Sequence, residues 1–479
     1  MAQAETASKK NTHDGKIVMP PGNERALYLT NWSQTCLYIG LFILLVIAFI
    51  LNWKATLFWV NAIIAAFYVI LTIYKAIVIH FSKTEGHQFV ITPEEIAALK
   101  DEDLPKYTIL IPLFREADVF EHLIESLSRI DYPKDKLQIL LLLEENDTET
   151  IEACKKMQPG PPFHPVVVQD SYPRTKPKAC DVALSRATGD YLVIYDAEDR
   201  PDPDQLKKAV IAFRKCSEEV ICIQAKLNFY NPGQNLLSKW FTVDYSTWFD
   251  LYLPGLARLD APIPLGGTSN HFNRRKLVEV GAWDPYNVAE DCDLGMRLYR
   301  RGYRTRMLDS TTWEEACSHF GFWIRQRSRW IKGYIQTFFV HTRRPIQGMR
   351  DLGFKRYIDF LALTGGMFLT YLVNPVYWLL TLVWIIFRPE VVGEYFPATI
   401  FLMGFFCLFI GNFILVYTSM LGVCRRKYFH LVKYALLIPP YWAMVSIAAW
   451  KAAWQLIVKP HYWEKTRHGV NVKRSAQAN

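Results

Sequence analysis

The chain has 479 residues, which exceeds one ordinary domain, so we expect at least two structural regions. Hydrophobic residues make up 51% and charged residues 21%, and the apolar residues are concentrated towards the two ends. The nine scattered cysteines form no CxxC pair, which argues against a zinc site or a disulfide framework and indicates a reducing compartment.

The net charge of +9 comes from basic clusters beside the apolar runs. Such clusters are typical of the cytoplasmic flanks of membrane segments. Nucleic-acid binding is not expected, because no basic stripe coincides with an aromatic platform. The clusters consist of Lys9, Lys10, Lys16 and Arg25 before the first run, Arg425, Arg426 and Lys427 between two later runs, and Lys459, Lys465, Arg467, Lys473 and Arg474 in the tail.

The N-terminal region begins with a polar segment over residues 1–30, which we expect to be poorly ordered. Two apolar segments follow at 36–53 and 56–81, and about 20 apolar residues suffice to cross a bilayer. We therefore predict a transmembrane hairpin over residues 31–85. A hairpin returns the chain to its starting side, so the middle domain is predicted to be cytosolic.

Residues 100–345 alternate short apolar runs with helical patterns, such as 117–129 and 204–215. Continuous apolar runs suit strands that are buried on both faces, and strands alternating with helices predict a mostly parallel sheet. Ligands then bind at the carboxyl ends of the strands. The predicted strands are Tyr107–Leu113, Leu137–Leu143, His164–Gln169, Tyr191–Tyr195 and Val220–Ala225.

Residues 350–458 are predicted to form transmembrane or interfacial helices. Runs 368–387 and 395–422 resemble a second hairpin, with the loop 388–395 outside. The run 431–458 is interrupted by two prolines and contains three tryptophans, so a single crossing and a broken interfacial pair both stay open. The remaining residues, 459–479, form a basic tail that we expect to be cytosolic.

An acidic cluster, Asp196, Glu198 and Asp199, directly follows one predicted strand. Carboxylates at a strand end suit Mg²⁺ or Mn²⁺ bridging a diphosphate. The structural alternative is an acidic turn that caps the next helix.

Two further clusters follow in order. Glu290 and Asp291 open a helical stretch, and the sequence QRSRW runs from Gln326 to Trp330. Transfer of a sugar from a nucleotide donor needs a metal clamp, a base for the acceptor hydroxyl and contacts to the diphosphate. The three clusters together supply those groups.

These motifs, in this order, resemble those of the processive membrane-bound family 2 glycosyltransferases, which include cellulose, hyaluronan, chitin, curdlan and poly-N-acetylglucosamine synthases. The resemblance covers roughly residues 105–340 and the flanking helices. It implies a GT-A type α/β nucleotide-sugar domain inserted between transmembrane α-helices. It also implies inverting transfer with Mg²⁺ or Mn²⁺ as cofactor.

The resemblance also implies roles for individual residues. Two departures stand out, since the family's Asp-Asp-Gly turn begins here with Glu144 and its DxD motif reads Asp196-Ala197-Glu198. The expected nucleotide-sugar contacts are Pro112, Phe114, Glu116, Glu144, Lys178, Asp196 and Arg329. The expected metal ligands are Asp196 and Glu198, the catalytic pair is Asp291 as base with Glu290 beside it, and the acceptor contacts are Gly267, Thr268, Gln326 and Trp330.

The tail segment KPHYWEKTRHG (459–469) resembles in character the gating loop of cellulose and hyaluronan synthases, although its sequence differs. The alternative is a plain anchor at the membrane surface. Either role places the tail on the cytosolic side or at its membrane boundary.

The predicted function is polymerisation of a UDP-sugar into a β-linked exopolysaccharide by a multi-pass protein of the inner (plasma) membrane, with its catalytic domain in the cytoplasm. Expected partners are the donor, a polysaccharide or lipid-linked acceptor, the bilayer and accessory export subunits. One alternative is a non-processive transferase that glycosylates a membrane lipid. The alternative from another class is an inactive, transferase-like scaffold, which the two motif departures would favour.

Overall fold

The protein is described here by a computed structural model, which covers residues 18–84, 86, 88–387 and 398–464. The predictions for Lys9, Lys10 and Lys16, for the loop 388–395 and for the tail beyond residue 464 lie outside these residues. The nine cysteines are all free.

The α/β domain is built on one eight-stranded sheet with the order β3-β2-β1-β4-β7-β6-β8-β5. Strands β1, β2, β3 and β4 are parallel to one another, and β6 and β8 are parallel to each other. Strand β7 is antiparallel to β4 and β6, and β5 is antiparallel to β8. The strands are β1 Tyr107–Leu113, β2 Leu137–Glu144, β3 Phe163–Val168, β4 Tyr191–Ile194, β5 Arg200–Pro201, β6 Val220–Phe229, β7 Asn270–Asn273 and β8 Arg304–Glu314.

All five strands predicted from apolar runs are present, and the sheet is mostly parallel, as predicted. The reason is burial on both faces: β6 is buried along its whole length, and β1 at every position but one. Strands β7 and β8 contain no long apolar run, because β7 reads NHFN and β8 reads RTRMLDSTTWE, which is mostly polar.

Helices pack on both faces of the sheet and continue into long apolar segments at either end of the chain. They are α1 Trp32–Phe81, α2 Pro93–Ala97, α3 Phe120–Ser128, α4 Thr148–Met157, α5 Lys176–Leu184, α6 Gln205–Lys215, α7 Leu236–Thr247, α8 Leu253–Arg258, α9 Arg274–Val280, α10 Glu290–Arg300, α11 Phe320–His341, α12 Pro345–Leu352, α13 Phe354–Phe360, α14 Gly366–Phe387, α15 Ala398–Phe406, α16 Asn412–Arg425, α17 Val432–Leu436 and α18 Pro439–Val458.

Helix α1 has 50 residues, which would measure about 75 Å if the helix were straight. Asn52 interrupts it with non-helical backbone angles, and its Oδ1 accepts a hydrogen bond from Ala55 N at 3.0 Å, which caps the second arm. Both ends contact the α/β domain: Gln34 Nε2 donates to Phe339 O at 3.0 Å, and a Cβ built on Gly255 would lie 2.1 Å from Val78 O. The chain therefore reverses direction at Asn52.

Three helical segments of the described chain are long and apolar enough to cross a membrane. They are Trp32–Phe81, Phe354–Phe387, which joins α13 and α14 through a π-helical turn, and Ala398–Arg425, which joins α15 and α16 in the same way. A bent pair, Phe429–Leu436 with Pro439–Val458, raises the count to four if the pair forms one span. Which loops face the cytosol remains a prediction from the sequence.

The bent pair meets at an angle of 66°. Two prolines at the start of α18 explain the break, because proline has no backbone N–H with which to continue the hydrogen bonds of α17. Both ends contact the α/β domain: Tyr434 O accepts from Trp240 Nε1 at 3.2 Å, and Lys459 O lies 3.4 Å from Lys332 Nζ. A single straight crossing would separate its ends by about 30 Å of hydrocarbon. These contacts agree with the interfacial alternative.

The segment before α1 is packed where it is described, in contrast to the disorder expected for residues 1–30. Ala26 is fully buried, and its N–H donates to Asp284 Oδ2 at 2.5 Å. The guanidinium of Arg343 donates to the carbonyl groups of Arg25 and Tyr28. These hydrogen bonds to its backbone hold the segment before α1 in place, although the segment has few apolar side chains to bury.

Candidate active site

The candidate site lies at one edge of the sheet. The parallel strands β1, β2, β4, β6 and β8 end at this edge, whereas the antiparallel strand β7 begins there. Phe114 follows β1, Glu144 ends β2, Asp196 follows β4, and the loop with Gly267 precedes β7. Topology alone therefore gathers four of the predicted motifs.

In the acidic turn after β4, two carboxylates face the cavity and a third is buried in the fold. The carboxylate of Asp196 is about one-third exposed and faces the cavity, as does Glu198. Asp199 is buried, its Oδ2 accepts from Asp196 N at 2.7 Å, and the Thr268 hydroxyl donates to the same oxygen. Burial, reinforced by Asp196 and Glu198, raises the pKa of Asp199 well above its usual range. Asp199 and Thr268 therefore brace the turn from inside the fold.

Two lysines at the start of α5 lie on different sides of the site. Lys178 Nζ lies 3.7 Å from Glu144 Oε2 and donates to Gln169 O at 3.0 Å, so it supports the predicted nucleotide-base pocket. Lys176, which our sequence analysis did not select, donates to Asp196 Oδ1 and, at 2.8 Å, to Gly267 O. Burial opposes its charge, but Asp196 and Glu290 outweigh burial and raise its pKa.

The pair Glu290 and Asp291 opens α10, with both carboxylates turned into the cavity. Burial raises the pKa of Asp291 to about 6. Burial together with the neighbouring Asp291 raises the pKa of Glu290 to about 8. Asp291 therefore gives up its proton at a lower pH than Glu290, which is the order expected when only one of two adjacent carboxyls is a base. Gly267 leaves room beside Asp291, since a Cβ there would lie 3.4 Å from Asp291 Oδ2.

The loop before α10 is attached to α11, which carries the QRSRW motif. Asn287 Nδ2 donates to Thr337 Oγ1 at 3.0 Å, and Val288 N donates to Gln336 Oε1 at 3.0 Å. Gly333 lets the two backbones approach, because a Cβ there would lie only 2.2 Å from the Ala289 Cβ. This packing sets the position of the acidic pair relative to the motif on α11.

Four residues of the QRSRW motif line the cavity, namely Gln326, Arg327, Arg329 and Trp330. Gln326 Oε1 is buried and has no hydrogen-bond partner among the described residues, so it is available to a ligand. Arg327 donates to Asp244 Oδ2 at 2.5 Å and to Tyr441 Oη at 2.6 Å, and thereby ties α11 to α7 and α18.

The described start of the tail folds back over α11. Lys332 Nζ donates to Tyr462 O at 2.8 Å, and Gln336 Nε2 donates to Pro460 O at 3.1 Å. The ring of Trp463 lies 4.4 Å from the guanidinium carbon of Arg329 and lines the cavity. The first residues of the tail therefore lie beside Arg329, at the predicted diphosphate site.

One cavity of about 1390 Å³ joins these groups and continues between the long apolar helices. Its lining contains every predicted site residue except Lys178. It also contains Glu314, which the sequence analysis missed because the polar strand β8 was not recognised. Burial, strengthened by Asp199, Glu198 and Asp196, raises the pKa of Glu314 well above its usual range. Glu314 is the last residue of β8, so recognising that strand in the sequence would have placed Glu314 at this edge of the sheet.

The mixed, mostly parallel sheet with helices on both faces is a GT-A-like α/β domain. A family model described as "Glycosyl transferase family group 2" matches residues 191–450, more than half of the chain. The chain belongs to this glycosyltransferase family.

Individual relatives agree with that assignment. "Probable glycosyltransferase YdaM" of Bacillus subtilis (strain 168) is 24% identical over 274 residues, which cover 55% of this chain and 64% of that protein. The match thus spans less than two thirds of that relative. Among solved structures, the mannosyltransferase PcManGT from Pyrobaculum calidifontis, in complex with GDP-Man and Mn²⁺, has a TM-score of 0.53 at 18% identity. It covers 84% of this chain and 99% of its own, and this similarity shows a shared fold.

Proposed function

We propose that this protein is an inverting, metal-assisted glycosyltransferase that extends a β-linked polysaccharide from a UDP-sugar and passes the product into the membrane. The observation that carries the proposal is the single cavity that runs from Asp196 and Asp291 past Trp330 to the apolar helices, where it reaches Asn61 and Tyr377. A polymer made at the acidic cluster would enter that space directly. The proposed location is the plasma membrane, with the α/β domain in the cytoplasm.

The donor is proposed to lie across the strand ends. Pro112, Phe114 and Glu116 flank the nucleotide, and Glu144, supported by Lys178, accepts a hydrogen bond from the base. Arg329 supplies positive charge for the diphosphate. Glu116 is buried, and its backbone N–H donates to Thr150 Oγ1 at 3.0 Å, so this wall is held by the fold.

The residues at the acidic turn fit a divalent cation that arrives with the donor. Within the described ranges, no three His, Cys, Asp or Glu side chains converge into a complete metal-binding group. Asp196 and Glu198 both line the cavity, and Mg²⁺ commonly takes one or two carboxylates together with substrate phosphates. When bound, the cation would stabilise the charge on the leaving diphosphate. The Mn²⁺ and GDP-Man bound to the mannosyltransferase support this assignment.

Asp291 is proposed to remove the proton from the acceptor hydroxyl as that oxygen attacks the anomeric carbon. One displacement converts an α-linked donor into a β-linkage. Glu290 beside Asp291 has the higher pKa of the two carboxyls, because burial and the neighbouring Asp291 both raise it. Trp330 offers its ring as a platform for the acceptor sugar, and Gln326 offers an amide oxygen that has no partner in the described part of the chain. These intact groups argue against an inactive scaffold.

A lipid acceptor is the second candidate, because much of the membrane portion of the cavity is apolar, with Leu380, Val383, Ile400 and Leu408 in its lining. The polar groups of the same lining favour a sugar chain over a lipid, because hydroxyl and amide groups can hydrogen-bond to sugar hydroxyls. These groups form two pairs: Tyr68 Oη donates to Asn374 Oδ1 at 2.5 Å, and Tyr377 Oη donates to Asn61 Oδ1 at 2.8 Å.

The test is to incubate the purified full chain, in lipid nanodiscs with Mn²⁺, with a panel of UDP- and GDP-sugars. We expect a ladder or a long polymer from one UDP-sugar, and linkage analysis should show β-linkages. A single-sugar lipid product would favour the second candidate. Absence of nucleotide release from every donor, in protein that binds UDP, would contradict transferase activity.

A further inference from the structure

Lys176 forms an ion pair with Asp196, the proposed metal ligand. It lies in the first turn of α5, its side chain is only 14% exposed, and it donates hydrogen bonds to Asp196 Oδ1 and to Gly267 O. The ammonium group therefore stands against the carboxylate that is expected to bind the divalent cation. A +1 charge in this position repels a +2 ion that approaches the same oxygen.

The charges around Lys176 explain why it is held there. Asp196, Glu290, Asp291 and Glu314 all line this part of the cavity. Nearby cations are committed elsewhere: Lys178 lies 3.7 Å from Glu144, Arg174 2.5 Å from Asp170, and Arg327 2.5 Å from Asp244. Lys176 and Arg329 are cations of the lining whose charge acts on both Glu290 and Asp291. A buried carboxylate cluster is costly without such compensation.

A nucleoside diphosphate would change this balance. It brings phosphate oxygens with several negative charges to the same edge of the sheet, and an ammonium on a flexible stem can move to one of them. Asp196 would then be free to bind the metal. Gly267 O, the other partner of Lys176, belongs to the loop that flanks the catalytic base, so this movement would also reach the sugar site.

We propose that Lys176 holds the cation position at Asp196 until a nucleoside diphosphate enters, and that it then binds a phosphate oxygen, so that the metal binds with the donor and not before it. This inference rests on the proposed function, because it presupposes that Asp196 is a metal ligand. It assigns to Lys176 two alternating partners, a carboxylate and a diphosphate.

The test measures Mn²⁺ binding to the full-length protein by electron paramagnetic resonance of free Mn²⁺, with and without UDP or GDP. In wild-type protein we expect the nucleotide to tighten Mn²⁺ binding by about tenfold or more. In Lys176→Met we expect Mn²⁺ to bind without nucleotide about tenfold more tightly than in wild type, because the competing charge is gone. Binding of UDP without metal should weaken in the same variant.

Three control variants make the result specific. Lys176→Arg keeps the charge and should keep the dependence of Mn²⁺ binding on nucleotide. Lys178→Met removes a lysine two residues away, on the side of Glu144, and should not increase Mn²⁺ binding without nucleotide. The double variant Lys176→Met with Asp196→Asn should lose the gain, which locates the added Mn²⁺ at Asp196.

A folded Lys176→Met variant that binds Mn²⁺ without nucleotide no better than wild type would overturn the inference. If Lys176→Met fails to fold, the wild-type titration decides, since equal Mn²⁺ affinity with and without UDP also overturns it. The readout does not depend on sugar transfer. If Mn²⁺ binding did not depend on nucleotide, the inference about Lys176 would fail and the transferase proposal would stand. If Mn²⁺ binding did depend on nucleotide but the protein released no nucleotide from any donor, only the proposed function would be contradicted.

Discussion

At Gly333 on α11, the addition of a single methyl group should lower kcat strongly while it lowers the free energy of unfolding only slightly. A Cβ on Gly333 would lie 2.2 Å from the Ala289 Cβ and 2.5 Å from Ala289 N. Ala289 directly precedes Glu290 and Asp291, and Gly333 follows Trp330 by less than one helical turn. The substitution Gly333→Ala must therefore push Glu290 and Asp291, the proposed catalytic pair, away from Trp330, the proposed acceptor platform.

The magnitude follows from these distances. Carbon atoms in contact normally lie about 3.5–4.0 Å apart, so α11 and the loop must separate by roughly 1.5 Å. Overpacking of this kind costs about 1–3 kcal/mol, while replacing a helical glycine by alanine returns about 1 kcal/mol. The net loss in free energy of unfolding is thus at most about 2 kcal/mol. A misplacement of about 1 Å lowers the rate roughly a hundredfold, so kcat should fall by that factor or more.

The assay compares kcat for nucleotide release with the thermal unfolding midpoint in the same detergent. Gly321→Ala is the matched control, because Gly321 lies exposed on the same helix and a Cβ there would meet nothing within 4 Å. That variant should keep kcat within about twofold, since it creates no contact that could move α11. Gly333→Ala protein with wild-type kcat would refute the argument that this close packing positions Asp291.

Three further predictions concern the catalytic groups. Asp291→Asn should lower kcat by about 10²–10⁴-fold, because the base is lost, while calorimetry still detects UDP binding; normal turnover would show that another group is the base. The kcat/KM of the wild type should rise with pH through about 6 and then level off, because Asp291, whose pKa burial raises to about 6, must lose its proton to act as a base. A profile that falls over this range would contradict the assignment. Trp330→Ala should shorten the polymer and raise the acceptor KM, whereas Trp330→Phe, which keeps an aromatic face, should retain most of the product length on gel filtration. Equal product lengths for both variants would argue against stacking.

The strands that sequence reasoning located are those that bury both faces, since only they produce unbroken apolar runs. Strand β7 is four residues of mixed polarity, and β8 lies in a polar stretch, so their places in the sheet come from pairing with β4 and β6. With β8 unrecognised, Glu314 could not be connected to the acidic turn. The same limit applies to Lys176 and Lys178, which are two residues apart in sequence but have different carboxylate partners.

The sequence by itself determined the family, the mostly parallel sheet and the order of the acidic and QRSRW motifs, because these depend on residue types and on burial that repeats along the chain. Only the tertiary structure decided which groups meet. It turned Asp199 inward as a brace, placed Lys176 against Asp196, and brought both ends of the bent pair 429–458 back to the α/β domain. Such contacts join residues far apart in the chain, and their geometry depends on close packing such as that of Gly333 against Ala289, which no local pattern encodes.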